Sequence, residues 1–142
     1  MTPAAAITRL QRRLERRWKV SDRGSASLEL VVIFPVLLLI IFGAMQGALY
    51  YFACSAALAS AQEGARAAAD ERASTGDGRS AAASFLAAAG GSDTLQQTQI
   101  TATRSGATAT VVVTGRSLSL VPGWDGIAVR QAASAPVERI TG

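Results

Sequence analysis

The residues able to do chemistry gather at the mouth of an apolar run. The string Asp22-Arg23-Gly24-Ser25-Ala26-Ser27-Leu28-Glu29 leads into residues 30–45, LVVIFPVLLLIIFGAM, which carry no charge. A carboxylate at such a mouth is costly to desolvate, and groups of this kind usually have a partner. If the peptide bond after Gly24 is hydrolysed, Ser25 gains a free α-ammonium. Glu29 then lies four residues further on, one helical turn away. The new cation and the carboxylate could pair within one chain or between neighbouring chains. Burying the pair is tolerable where burying either charge alone is not. The alternative is a Glu29 solvated in the headgroup layer, and spacing alone leaves both readings open.

Little other chemistry is on offer. The 142 residues include no histidine, one cysteine (Cys54) and one lysine (Lys19). An imidazole base, a His-containing zinc site, an internal disulfide and a thiolate cage are therefore excluded. Lys19 lies near the N-terminus, far from any folded region, so a Ser-Lys dyad is not expected. The acids Asp70, Glu71, Asp77, Asp93, Asp125 and Glu138 are scattered, with no metal-ligand spacing. No Gly-rich phosphate loop follows a strand. The expectation is a protein with no catalytic residue, no cofactor and no metal. Asp125, within Val121-Pro122-Gly123-Trp124-Asp125-Gly126, reads as a turn former, and Trp124 as a core residue before a contact residue.

Charge is distributed unevenly. The net +4 belongs to residues 1–24, where seven cations face two acids, whereas residues 25–142 sum to −1. With no basic stripe in the body and only 6% aromatic residues, a nucleic-acid partner is not expected. The basic leader instead sets the orientation of the apolar run behind it. Residues 30–52 make about 34 Å of helix, enough to cross a bilayer with some tilt. The flanking arginines place the N-terminal end in the cytoplasm, and residues beyond about 53 outside. Tyr50, Tyr51 and Phe52 fall where an interfacial aromatic belt belongs. A soluble domain of this size has too little other apolar surface to cover such a rod. The run is longer than a cleaved secretory h-region, and bulky residues before Cys54 disfavour a lipoprotein site. Within the rod, Gly43 and Gly47 form a GxxxG beside Ala44 and Ala48, a pattern that lets helix backbones approach. Pro35 removes one backbone donor and is expected to bend or loosen the helix.

Two stretches carry a family resemblance: Arg23 to Gly43, RGSASLELVVIFPVLLLIIFG, and Ala61 to Ala69, AQEGARAAA. Basic leader, Gly, a Glu at the fifth position after it, then an apolar helix resembles the class III signal of type IV pilin-like proteins. The fuller string is similar to the TadE-like family of tight-adherence (Tad, Flp) pilus systems, with Gln62 where the family more often has Arg. Ser25 stands where other type IV pilins commonly carry Phe. The resemblance implies cleavage after Gly24 by a prepilin peptidase and a role as minor pilin or pseudopilin. Implied partners are that peptidase, other pilins or pseudopilins, the Tad inner-membrane platform proteins and membrane lipid.

Beyond the rod the elements change. Alanine-rich residues 53–72 should continue the helix up to the breaker Ser74-Thr75-Gly76-Asp77-Gly78. Glu63, Arg66, Asp70 and Glu71 form its solvated face, and Gly64 marks a close packing contact. Residues 80–89 predict a short helix ended by Gly90-Gly91. Residues 99–104 and 107–114, joined at Ser105-Gly106, predict a half-buried hairpin in which Ala107, Ala109, Val111 and Val113 share one face. Residues from 127 to about 133 supply a third strand. The expected class is α+β: a leader (1–24), a transmembrane spine helix with its extension (25–72), and a small head (73–142) with a short helix and a three-stranded antiparallel sheet. The competing reading is an uncleaved single-span anchor displaying an adhesive or scaffold head. The two differ in the fate of residues 1–24.

Overall fold

The computed structural model describes residues 29–138 with their side chains, Ser92 excepted, and residues 3–28 by their helical backbone. The first helix, α1 (Pro3–Ala69), is built from a run in which strong helix formers, Leu and Ala, dominate. It passes through Pro35 without a break in helical structure. The chain divides into two compact units, residues 1–42 and 43–142. In the first, the described side chains belong to one uncovered helix, and every large apolar residue from Leu30 to Phe42 is exposed.

The second unit holds the rest of α1, α2 (Thr75–Ala88), the single turn α3 (Gly91–Thr94), β1 (Leu95–Arg104), β2 (Thr108–Ser117) and β3 (Ala128–Pro136). The strands form the three-stranded antiparallel sheet that the sequence predicts, in the order β1-β2-β3. In β2, Ala109, Val111 and Val113 are fully buried, and Ala107 lies outside the strand, exposed. The hairpin turns at Ser105, whose Oγ accepts from the backbone N–H groups of Ala107 (3.3 Å) and Thr108 (3.0 Å).

Two elements start several residues earlier than the sequence reading has them, whereas α1 ends at Ala69, short of residue 72, and β2 and β3 each run about three residues further. α2 begins at Thr75 instead of residue 80, because Ser74 and Asp77 close a capping box. The Asp77 carboxylate accepts from the Ser74 N–H at 2.8 Å, and the Ser74 Oγ accepts from the Asp77 N–H at 3.3 Å. Four orphan donors at a helix start make such reciprocal bonds worth more than the low propensity of Gly76 and Gly78. β1 begins at Leu95, ahead of the expected residue 99. A bulge between Gln96 and Gln99, with Gln97 at φ 51°, interrupts the alternation that marks a strand.

The core lies between the inner face of α1 and the sheet. Ala53, Ala56, Ala57, Ala61 and Ala65 of α1 meet Ala82 and Leu86 of α2, Leu95 of β1, Val111 and Val113 of β2, and Val129 of β3. Ala68, Ala69 and Ala109 continue the contact. Apart from Leu86 and Leu95 the pieces are small, so backbones pack closely. A Cβ on Gly64 would sit 2.6 Å from the Gly78 carbonyl oxygen and 2.8 Å from the Ala82 Cβ, so Gly64 is the packing glycine that the sequence predicts. The one hydroxyl of α1 in this seam, Ser60, donates to the Ala82 carbonyl at 2.8 Å and is thereby satisfied. Trp124, expected in the core, is 47% exposed.

Candidate functional site

The residues singled out in the sequence fall into three groups. Gly24 and Ser25, the processing pair, lie in the stretch described by backbone alone, so the cleavage expectation falls outside the residues described in full. Glu29 is exposed at the head of the apolar run and makes no ion pair with any described residue. Gly43 and Gly47 are open: a Cβ on either would meet nothing within 4 Å.

Exposure defines the first face. From Leu30 to Phe42 the helix presents leucine, valine, isoleucine and phenylalanine to its surroundings, with Leu39 at 73%. Exposed apolar area on this scale is unfavourable in water and is what an apolar medium or a bundle of like helices would cover. Among the described residues, Glu29–Ala69 holds the one helix segment long and apolar enough to cross a membrane.

The second feature had no reading in the sequence. Gln46 follows directly on the uncharged run, and its amide makes two hydrogen bonds to the loop 118–127. Its Nε2 donates to the Leu118 carbonyl at 2.9 Å, and its Oε1 accepts from the Leu120 N–H at 3.0 Å. One side chain thus imitates a strand neighbour for alternate residues of the loop. The available signal was a single amide at the end of an otherwise apolar stretch. The loop is closed at its base by the Ser117 N–H to Ile127 carbonyl bond (2.9 Å) and by the Ile127 N–H to Ser117 Oγ bond (3.1 Å). Gly126 is required there: its φ is +78°, and a Cβ would strike the Ser117 carbonyl. The loop exposes Val121, Trp124 and Ile127. Asp125 lies 3.8 Å from Arg116, an open pair of small energetic weight.

The third feature fixes the end of α1. The Arg104 guanidinium donates to the carbonyls of Asp70 (2.9 Å), Glu71 (3.2 Å) and Ala73. The Glu138 N–H donates to the Ala69 carbonyl at 3.0 Å. The Ala69 carbonyl is one that a helix end leaves without an intrahelical partner, and the arginine bonds pin the turn just past it. Beside them an open groove of about 610 Å³ runs between Gln62 and Arg66 of α1, Asp70 just past its end, and Ala133, Ala135 and Pro136 of β3. Arg66 approaches Glu63 at 4.0 Å on the outer face of α1, and Asp70 and Glu71, just past the helix end, are exposed as well, as expected of a solvated surface.

One uncovered apolar helix, running on into a small α+β head, fits a protein anchored by a single membrane pass. The chain's likeness to known proteins makes the class more specific. Residues 24–66 match the model of a family described as TadE-like protein, so this segment is TadE-like and associates the protein with Tad pilus systems and their components. The match takes in Glu29, the apolar run, Gly43, Gly47, Gln46 and the alanine seam as far as Arg66. No curated protein and no solved structure matches the chain.

Proposed function

We propose that this protein is a minor pilin or pseudopilin of a Tad-type pilus or a related secretion system, cut after Gly24 and assembled through its apolar helix. The observation that carries the reading is the bare helix face from Leu30 to Phe42 inside the TadE-like segment. Every large apolar residue on it is exposed, so the face is left for lipid first and for neighbouring helices later. Moving such a helix out of a bilayer requires an equally apolar destination, which a bundle of like helices supplies. Gly43 and Gly47 keep one stripe of the helix free of side chains for close approach.

In this reading a prepilin peptidase hydrolyses the Gly24–Ser25 bond on the cytoplasmic side. The basic leader departs, and the Ser25 ammonium remains one helical turn from Glu29. Within an apolar bundle the pair sets axial register, because a displaced subunit would leave one charge buried alone. Other pilins or pseudopilins and the Tad inner-membrane platform proteins are the partners. The head lies on the extracytoplasmic side.

N-terminal sequencing and intact mass of protein extracted from its native membrane test the proposal. Ser25 at the terminus is the expected result, and in a Gly24→Ala variant the leader should stay attached. Intact Met1 on the wild-type protein would leave a tethered ectodomain and remove the pilin reading.

A further inference from the structure

We propose that the loop 118–127 is a second, shallow membrane contact: Val121 and Trp124 rest in the interfacial layer of the bilayer, and Gln46 holds them there. The inference rests on the reading that the apolar helix is a membrane anchor, and it concerns a loop outside the TadE-like segment that Gln46, within it, holds.

Depth is the first ground. Residues 30–45 provide about 24 Å of helix, less than the ~30 Å hydrocarbon layer of a typical bilayer. The outer edge of that layer therefore falls among residues 46–52. The loop is hydrogen-bonded to Gln46 through Leu118 and Leu120, so it lies at the same level as this edge.

Composition is the second. Val121 is 53% exposed and Trp124 47%, and Tyr51 and Phe52, further along α1 from Gln46, are 75% and 49% exposed. Tryptophan and tyrosine concentrate at the headgroup level, where one end of the ring is apolar and the other wet. The exposed carboxylate of Asp125, next to Trp124, fits the headgroup layer and would be costly deeper in.

The third ground is the state of the loop's backbone. A poorly hydrated layer tolerates irregular chain only where its polar groups find partners within the protein. The Leu118 N–H donates to the Thr94 carbonyl (3.1 Å), Leu120 to Gln46, Val121 to the Ser119 Oγ (3.1 Å), and Trp124 to the Val121 carbonyl (3.2 Å). The backbone donors of Leu118, Leu120, Val121 and Trp124 are thus already satisfied without water. Lipid is the occupant that these grounds favour over a second copy, because the loop is continuous, through Gln46, with the segment that enters the bilayer.

The test uses the full chain carrying Trp18→Phe, which leaves Trp124 as its one tryptophan. The protein is reconstituted into phosphatidylcholine vesicles, either plain or brominated near the headgroup end or near the tail end of the acyl chain. Flotation with the vesicles reports the anchor, and Trp124 fluorescence reports the loop. The expected result is blue-shifted emission, strong quenching by the shallow bromines and weak quenching by the deep ones. A further Gln46→Leu change keeps the helix apolar but frees the loop, so shallow quenching should fall while flotation persists. Floating protein whose Trp124 emits as in water, and is quenched by aqueous iodide only, overturns the proposal and leaves the anchor standing. Blue-shifted emission that ignores bromine and grows with the protein-to-lipid ratio assigns the loop to a second copy and overturns it too. Protein that does not float removes both readings.

Discussion

Gly64 of α1 and Gly78 of α2 meet backbone to backbone, each barring a side chain on the other. A Cβ on Gly64 would lie 2.6 Å from the Gly78 oxygen, and one on Gly78 would lie 2.8 Å from the Gly64 oxygen. Backbone cannot swing aside as a flexible side chain can. Gly64→Ala should gain about 1 kcal/mol in helix propensity and lose about 1–3 kcal/mol to overpacking. The net outcome is a lower melting temperature by circular dichroism of the full chain in detergent. Gly47→Ala, made where a Cβ meets nothing within 4 Å, is the control and should melt no lower than the parent.

The start of α2 should be sensitive to acid. The Asp77 carboxyl is held below its ordinary value of 3.8, first by the Ser74 N–H and then by the Ser74 hydroxyl, both of which favour the charged form. A carboxyl lowered on folding binds protons more readily in the unfolded chain. Its contribution to stability is therefore complete above the ordinary value and is lost as pH falls through the lowered folded one. Melting curves of parent and Asp77→Asn should converge as pH drops below 3.8 and separate above it. Ser74→Ala removes the cap itself and should cost about 1 kcal/mol at neutral pH.

Arg104 secures the turn that follows α1 with a planar fork of donors. Arg104→Lys keeps the charge near the helix C-terminus but cannot reach three carbonyls in the same way. Arg104→Met loses both charge and bonds. Hydrogen exchange of the amides around Asp70–Ala73 should quicken in the order parent, Lys, Met, with a stability loss of about 1 kcal/mol for Met, given the partial exposure of the site.

Glu29→Ala separates insertion from assembly. Removing a carboxylate from the mouth of the apolar run should leave membrane insertion unchanged or slightly improved. Incorporation into sheared pilus fractions should drop. A variant that assembles like the parent would remove the proposed pairing role.

Elements with clean periodicity are legible from the residues alone. The alternation Ala109, Val111, Val113 identifies the buried face of β2, and the uncharged run identifies the exposed helix. Where local chemistry competes with composition, sequence and structure part. Gly76 and Gly78 look like breakers, yet the spacing of Ser74 and Asp77 is a helix-start signal in plain view. The glutamines of early β1 have neither alternation nor strand propensity around the bulge at Gln97. Hydrophobicity alone sends Trp124 inward, yet its place in a turn-rich loop leaves it 47% exposed. The pairing of Gln46 with residues 118 and 120, and the reach of Arg104 across 34 positions to Asp70, are tertiary facts that no local pattern encodes.

Since α1 furnishes one wall of the core through Ala53, Ala57, Ala61 and Ala65, the sheet has no complete interior of its own. The head cannot complete its core until residues 53–65 of α1 lie beside the sheet, and this stretch of the rod cannot be pulled away without unroofing the valines of β2. Placement of this part of the rod and closure of the head are thereby one cooperative event, and a pull on the alanine seam is a pull on the sheet itself.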